Sequence, residues 1–482
     1  MAHRADEETP LLHQTAKKTP TPLPWFQLSI LLFLQLAEPL TSQVIHPFAP
    51  DLVRSLGITG GNEKKVGYYV GMLQSVFFFT QAFTVLQWSR ISDRVGRKPV
   101  ILTGLAGLSI SMYSFGLSTV FWGFLLSRSL CGALNGNVGV IKSTMADLTD
   151  STNIARAYTY IPIAWSIGGA VAPIIGGMLS RPAEQFPGLF GNNQFLKKYP
   201  YFLPCAVSAS FSATAWLVAF IFLKETVKWP MPISQCLGVR KDKLGSRVRS
   251  PSIHRTDSKQ QEVSEDEKPL PLRALLVPKV VIAASNYALM SLVDIAFRAI
   301  QPVFYSSPIE DGGLGLSPAE IGKIFSIFGI LNGVFQLFFA SIHDRCGSRK
   351  TFIVGMAATL PMLGSFPVIN ILARAQGCSA AVWSLVGFQV AVSVLTGLSR
   401  GAIFIFINNS SPNRASIGAT NGLSQMSVSI TRAIGPALAN ALFSLSIDKG
   451  YLGGNLVYFV LMSLACVSLY VASLLPRNVG KV

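Results

Sequence analysis

Two carboxylates interrupt long apolar runs: Glu38 lies in residues 25–48 and Asp294 in residues 279–304. A charge at bilayer depth costs several kcal/mol on insertion scales, so it is kept for a task or paired. In general, desolvation moves a carboxyl from its ordinary pKa of about 4 toward neutrality. Such a group can take a proton on one side of a membrane and release it on the other. Asp294 and Arg298 are four residues apart, share a helix face and can pair. Glu38 has no basic residue within a turn of it, which makes it the stronger candidate for carrying a proton. Arg400 and Arg432 stand in other apolar runs and, with Arg298, add positive charge to the second half. If these three face a central cavity, they favour an anionic or zwitterionic solute over a cationic one. Snorkelling to the interface is the competing role for each.

These residues need helices that cross a membrane. Hydrophobic residues make up 50% of the chain and charged residues 13%, about half the charged share of soluble domains (~25%). Apolar runs of bilayer length are expected at 25–48, 66–87, 99–117, 120–142, 157–179 and 201–223, then 279–304, 319–341, 351–372, 380–407, 416–446 and 453–475. The expected fold is all-α: twelve transmembrane helices in two bundles, residues 25–223 and 279–475. A polar tail (1–24), a charged linker (224–278) and a short C-terminal tail (476–482) complete the chain. Lys and Arg number 40, and most fall in loops on one side of this plan. That side is expected to be cytoplasmic, with both termini on it. The net charge of +17 is therefore topological and is not read as nucleic-acid binding. Six cysteines lack metal-ligand spacing. Cys205 and Cys378 fall on the same side, which leaves a bridge open.

The turn Trp88-Ser-Arg-Ile-Ser-Asp93-Arg94-Val-Gly96-Arg97-Lys98 is strongly basic and joins two uncharged runs. It resembles the signature loop between helices 2 and 3 of the major facilitator superfamily, with Trp88 or Ser89 where the family has Gly. In the second half, Asp344-Arg345-Cys-Gly347-Ser-Arg349-Lys350 repeats it, with one residue inserted before the final basic pair. A loop present in each half reads as a duplicated transporter of two six-helix repeats. The Trp88 turn and Arg432-Ala-Ile-Gly435-Pro436 look like the drug:proton antiporter and zinc-induced-facilitator-like groups. The resemblance implies that spans 1, 4, 7 and 10 line the cavity, and that Arg128 in Arg128-Ser-Leu-Cys-Gly132-Ala-Leu-Asn-Gly136 is linked to proton transfer. It also implies a latch of Asp93, Arg94, Arg97, Asp147 and Arg156 that holds one conformation. Gly132, Gly169, Pro173, Gly176, Gly435 and Pro436 are expected as hinge or packing elements. Ala172 stands where antiporters carry Gly, and no Cys-Pro-Gly-Cys motif is present.

The expected function is a proton-coupled secondary transporter of a small organic solute, with antiport favoured over symport. A non-transporting receptor on the same fold is the alternative. No nucleotide-binding GxxxxGK[ST] loop and no catalytic constellation appear, so neither an ATP-driven pump nor an enzyme is expected. No cofactor is expected beyond the proton gradient, and the chain is expected to act as a monomer in the bilayer. Glu7 and Leu11-Leu12 resemble an acidic dileucine sorting signal, which suggests a vacuolar or lysosomal membrane, with the plasma membrane as the other option. Ser-Pro and acidic stretches of the linker are candidate phosphorylation sites.

Overall fold

The computed structural model describes residues 21–150, 152–158, 160–227, 273–412 and 416–476. The sorting signal, most of the linker and the last six residues lie outside the described residues. The described residues contain helices and loops and no strand. The first half holds α1 (Trp25–Gln35), α2 (Ala37–Gln43), α3 (Ala49–Ser55), α4 (Val66–Val95), α5 (Arg97–Gly116), α6 (Phe121–Leu134), α7 (Asn137–Leu148), α8 (Tyr160–Leu179) and α9 (Phe202–Phe222). The second holds α10 (Pro278–Ser306), α11 (Pro318–Gln336), α12 (Phe339–Cys346), α13 (Ser348–Ala357), α14 (Thr359–Gln376), α15 (Ala380–Leu395), α16 (Gly397–Ser410), α17 (Ile417–Lys449) and α18 (Leu456–Ser473).

Among the described residues, nine helical segments are long and apolar enough to cross a membrane, with α13 and α14 forming one and α15 and α16 another, and α4, bent by 43° near its end, is a tenth by length and composition. The remaining two crossings, residues 25–55 and 121–148, are broken into pieces too short to span a bilayer alone. Each expected continuous span is interrupted for a local reason. Pro39 has no N–H to offer the carbonyl of Gln35, so α1 and α2 part at Leu36. Asn135 leaves helical geometry (φ −80°, ψ 64°) and ends α6 ahead of Gly136. Broken crossings are tolerated only where protein or water satisfies the freed backbone, which marks these two levels as interior.

Within the first half α5 runs along α9 and α4 along α6; within the second, α10 runs along α17 and α13 along α16. The halves meet along two seams, α4 with α17 and α8 with α11. Small residues let the backbones close up there. A Cβ on Gly71 would lie 3.0 Å from the carbonyl oxygen of Pro436, and Gly177 backs onto Pro318 as Gly322 does onto Pro173. The backbone N–H of Ala437 donates to Ser75 Oγ at 2.9 Å, and Arg54 Nη2 donates to the carbonyl of Ser306 at 2.9 Å. At the face away from the termini one apolar core is shared by both halves, joining Phe48, Leu52 and Val66 to Ile300, Phe304 and Phe443. At the terminal face each half has its own core: Leu28, Ile101 and Ile141 in the first, Phe352, Ile403 and Phe406 in the second. The molecule is thus joined at the far face and divided at the terminal face. Cys205 and Cys378 are both free thiols, so no bridge forms between them.

Candidate functional site

The two broken crossings face each other. Asn135, at the break between α6 and α7, donates from Nδ2 to Glu38 Oε1 at 3.1 Å. Glu38 Oε2 is buried and has no hydrogen-bond partner among the described residues, and neither has Asn135 Oδ1, Gln35 Oε1 or the side-chain amide of Asn137; Gln81 also acts on the Glu38 carboxylate. The break itself is braced from the signature turn. Trp88 Nε1 donates to the carbonyl of Ala133 at 2.7 Å, and Gly136 is held against the indole, where a Cβ would come within 2.5 Å of its atoms. Gly132 packs as expected: a Cβ there would strike the carbonyl of Phe77 and the hydroxyl of Thr80. Gly176 likewise abuts the carbonyl of Val44, and Gly435 faces Ile295. Gly169 has open space at its own Cβ position; its backbone is instead where Gly329 of α11 approaches.

Arg128 is 5% exposed and lies over the ring of Phe77 at 4.6 Å. Its Nη1 has no hydrogen-bond partner among the described residues. Its charge is felt at His46, whose Nδ1 lies 3.4 Å from Gln74 Nε2; Gln74 Oε1 in turn accepts from Asn440 of the other half at 3.4 Å. A buried guanidinium without an anion is costly, and none of the described residues gives Arg128 an ion pair.

The second half is organised differently. Asp294 Oδ2 accepts from Arg298 Nε at 3.0 Å and Oδ1 from Arg400 Nη1 at 2.7 Å. Arg400 also donates to Asn332 Oδ1 at 3.3 Å, and Asn332 reaches Ser166 of the first half at 3.2 Å. Arg298 lies 5.2 Å from the centre of the Phe328 ring. Arg432 and Lys142 are exposed, and the charge of Arg432 acts on Glu38, Lys142, Asp294 and Arg400. Four cations thus act on two carboxylates in the middle of the molecule: Lys142 and Arg432 on Glu38, and Arg298, Arg400 and Arg432 on Asp294. Asn135, Asn332 and Lys142 were not singled out from the sequence. Asn135 stood inside the quoted Gly132–Gly136 stretch, and an amide in an apolar span was its only signal.

At the terminal face Arg97 joins three groups. It pairs with Asp93, donates to Ser92 Oγ at 2.9 Å and reaches Asp147 Oδ2 at 3.2 Å. Glu225 accepts the backbone N–H groups of Arg97 (2.9 Å) and Lys98 (3.0 Å), capping the otherwise unsatisfied start of α5. Thr226 adds a hydrogen bond to Asp147 at 3.0 Å. Gly96 takes φ 117°, open to glycine, to turn between α4 and α5. Arg94 is exposed and makes no hydrogen bond or ion pair among the described residues. Arg156 lies 5.9 Å from the ring centre of Trp25.

The second copy of the turn corrects the expected inserted residue. Lys98 Nζ donates to the carbonyl of Phe220 at the end of α9, and Arg349 donates to that of Ser473 at the end of α18. Arg349 therefore holds the place of Lys98, and Ser348 that of Arg97. Without an arginine at that position Asp344 meets, among the described residues, His343 at 3.4 Å, and Asp344 and Arg345 remain exposed. The three-way pairing of Arg97 with Asp93 and Asp147 belongs to the first half.

The sequence profile described as Major Facilitator Superfamily matches residues 31–234 and 280–481. The chain is 29% identical over 491 residues to the major facilitator-type transporter psiT2 of Psilocybe cyanescens, covering 96% of this chain and 92% of that one. It is 29% identical over 445 residues to the protein ZINC INDUCED FACILITATOR-LIKE 1 of Arabidopsis thaliana, covering 91% and 89%. In fold it is similar to a bacterial homologue of the human lysosomal transporter Spinster, solved in an inward-facing, occupied conformation. The TM-score is 0.67 at 13% identity, covering 96% of this chain and all of that one.

Proposed function

The chain belongs to the major facilitator superfamily, and from that premise we propose that it exchanges protons for a small organic anion or zwitterion. Membership makes it a multi-pass membrane protein and a secondary transporter of small molecules; the proton, the direction and the solute class are our reading. The observation that carries it is the contrast between the two carboxylates. Both oxygens of Asp294 are occupied by guanidinium groups, whereas Glu38 meets the amides of Asn135 and Gln81 and no guanidinium, and its Oε2 accepts no hydrogen bond among the described residues. A free carboxylate oxygen at the meeting of two broken helices is where a proton can be taken up and released. The surplus of cations, with Arg128 unpaired, supports an anionic or zwitterionic solute. The basic turns support a cytoplasmic terminal face. On that orientation the shared core closes the far side and the described state opens inward. Antiport is the direction favoured by the likeness of the Trp88 turn to drug:proton antiporters, and a vacuolar or plasma membrane is the setting. The latch of Asp93, Arg97 and Asp147 then biases the populations of the two states.

The test is reconstitution in liposomes with a trapped pH dye and an imposed proton gradient. Organic anions and zwitterions are expected to drive proton movement, and organic cations of similar size are not. Proton movement driven by cations alone would overturn the solute class.

A further inference from the structure

Ahead of α1 the sequence runs Thr19-Pro20-Thr21-Pro22-Leu23-Pro24, with proline at every second residue and Lys17 and Lys18 before it. A residue before proline is pushed to extended backbone, and residues 21–24 form no helix. Thr21 is exposed, yet its polar groups are engaged by the loop that follows α7. The Thr21 hydroxyl donates to Asp150 Oδ2 and accepts from Asn153 Nδ2 at 3.0 Å. The Thr21 N–H donates to Thr152 Oγ1 at 3.1 Å, and Asn153 Nδ2 reaches the Thr21 carbonyl at 3.3 Å. Asp150 follows Asp147 by three residues. The contact therefore braces the end of α7 from which Asp147 meets Arg97.

We propose that Thr21 is a phosphorylation site for a proline-directed protein kinase, and that the phosphate releases the entry segment from the loop after α7. The inference rests on the cytoplasmic reading of the terminal face, where kinase and nucleoside triphosphate are present. An extended threonine-proline pair with lysines upstream is the form of substrate such an enzyme takes. The terminal phosphoryl group of Mg-ATP is transferred. A bond forms from Thr21 Oγ1 to phosphorus, the bond from phosphorus to the ADP oxygen breaks, and the hydroxyl proton passes to the base of the kinase. Before transfer Thr21 Oγ1 donates to a carboxylate. Afterwards it has no hydrogen to donate and bears a group of about −2 charge. Attraction to Asp150 becomes like-charge repulsion. A hydroxyl bound to Asp150 is not presented to a kinase, so transfer takes place when the contact opens, and it then keeps the contact open.

The experiment incubates the purified full-length chain in detergent with Mg-ATP and a cyclin-dependent kinase, and locates phosphate by mass spectrometry. Phosphate on Thr21 is expected, and Pro22→Ala is expected to lose it. Ser250-Pro251 of the linker serves as the internal control. Asp150→Ala frees the Thr21 hydroxyl and is expected to raise the Thr21 labelling rate several-fold while leaving the Ser250 rate unchanged. Hydrogen exchange in the peptide covering residues 149–158 is expected to rise about tenfold on phosphorylation. No phosphate on Thr21, with Ser250 labelled to show that the kinase acted, would overturn the site. Phosphate on Thr21 with unchanged exchange would overturn the release, as would equal Thr21 labelling rates in Asp150→Ala and the unaltered chain. Should a variant fail to fold, labelling and exchange of the unaltered chain decide alone. Labelling in detergent depends neither on the direction the chain faces nor on what it transports, so this result stands apart from the transport assay.

Discussion

Trp88 donates its indole N–H to the carbonyl oxygen of Ala133 across 2.7 Å. In an unbroken helix that oxygen would accept from the backbone of Asn137, but α6 ends at Leu134 and α7 begins afresh at Asn137. The signature turn therefore satisfies a group that the break exposes. The same break aims Asn135 at Glu38. Terminal-face turn, helix break and central carboxylate are one connected unit, and a movement of the turn has a direct route to the site.

Trp88→Phe keeps most of the ring and removes only the donor, so it is expected to cost about 1 kcal/mol of stability. Trp88→Ala also empties the space against Gly136 and is expected to cost about 3 kcal/mol. Thermal unfolding in detergent separates the two. Equal midpoints for Trp88→Phe and the unaltered protein would show that the bond to Ala133 does not hold the break.

Asp294 neutralises two arginines at once, so Asp294→Leu leaves Arg298 and Arg400 facing each other without an anion. For a group about a quarter exposed, an expected loss of about 2 kcal/mol follows from the cost of breaking a buried pair, discounted for solvent. Adding Arg400→Leu is expected to return part of that loss, a coupling measurable as a double-mutant cycle on unfolding midpoints. Additive losses would contradict a paired Asp294.

Much of this was legible in the sequence, for physical reasons. Crossings are long apolar runs, and the basic turns between them are charges that cannot enter hydrocarbon, so both declare themselves by composition. Glu38, Asp294 and Arg128 stood out because a charge in such a run is expensive. What could not be read was who meets whom. Arg298 lies four residues from Asp294 and its pairing was anticipated, but the bond from Arg400 comes from a distant helix. Glu225 sits far along the chain from Arg97, and its capping role depends on how α9 returns beside α5. Ser348 showed its equivalence to Arg97 only once Arg349 was seen to reach the end of α18 as Lys98 reaches the end of α9. The break at Asn135 escaped because an asparagine followed by glycine in an apolar run also reads as helix packing.

The chain enters the first half over a polar clasp. Thr21 donates its hydroxyl to Asp150, Asp150 also accepts from the backbone of Thr152 at 2.8 Å, and Asn153 donates to the Thr21 hydroxyl at 3.0 Å. Hydrogen bonds from Thr152 and Thr21 lower the Asp150 carboxyl from 3.8 to about 2. A depressed carboxyl contributes fully above its ordinary pKa, and the contribution is lost only as the pH falls through the lowered value. Protection of the Thr21 amide, which donates to Thr152 Oγ1, is therefore expected to be constant from about pH 5 to about pH 8 once intrinsic exchange is corrected for. Asp150→Ala is expected to abolish that protection at pH 7. A protection factor that falls steadily across this range would mean that another group holds the clasp.

The central claim is that Glu38 couples solute movement to protons, and one comparison tests it most directly. Glu38→Gln preserves the size of the side chain and its acceptor for Asn135 but cannot release a proton. In liposomes loaded with solute, the variant is expected to keep solute-for-solute exchange within a few-fold of the unaltered protein while losing solute-driven proton flux. Proton flux that persists in Glu38→Gln at the unaltered rate would contradict the account.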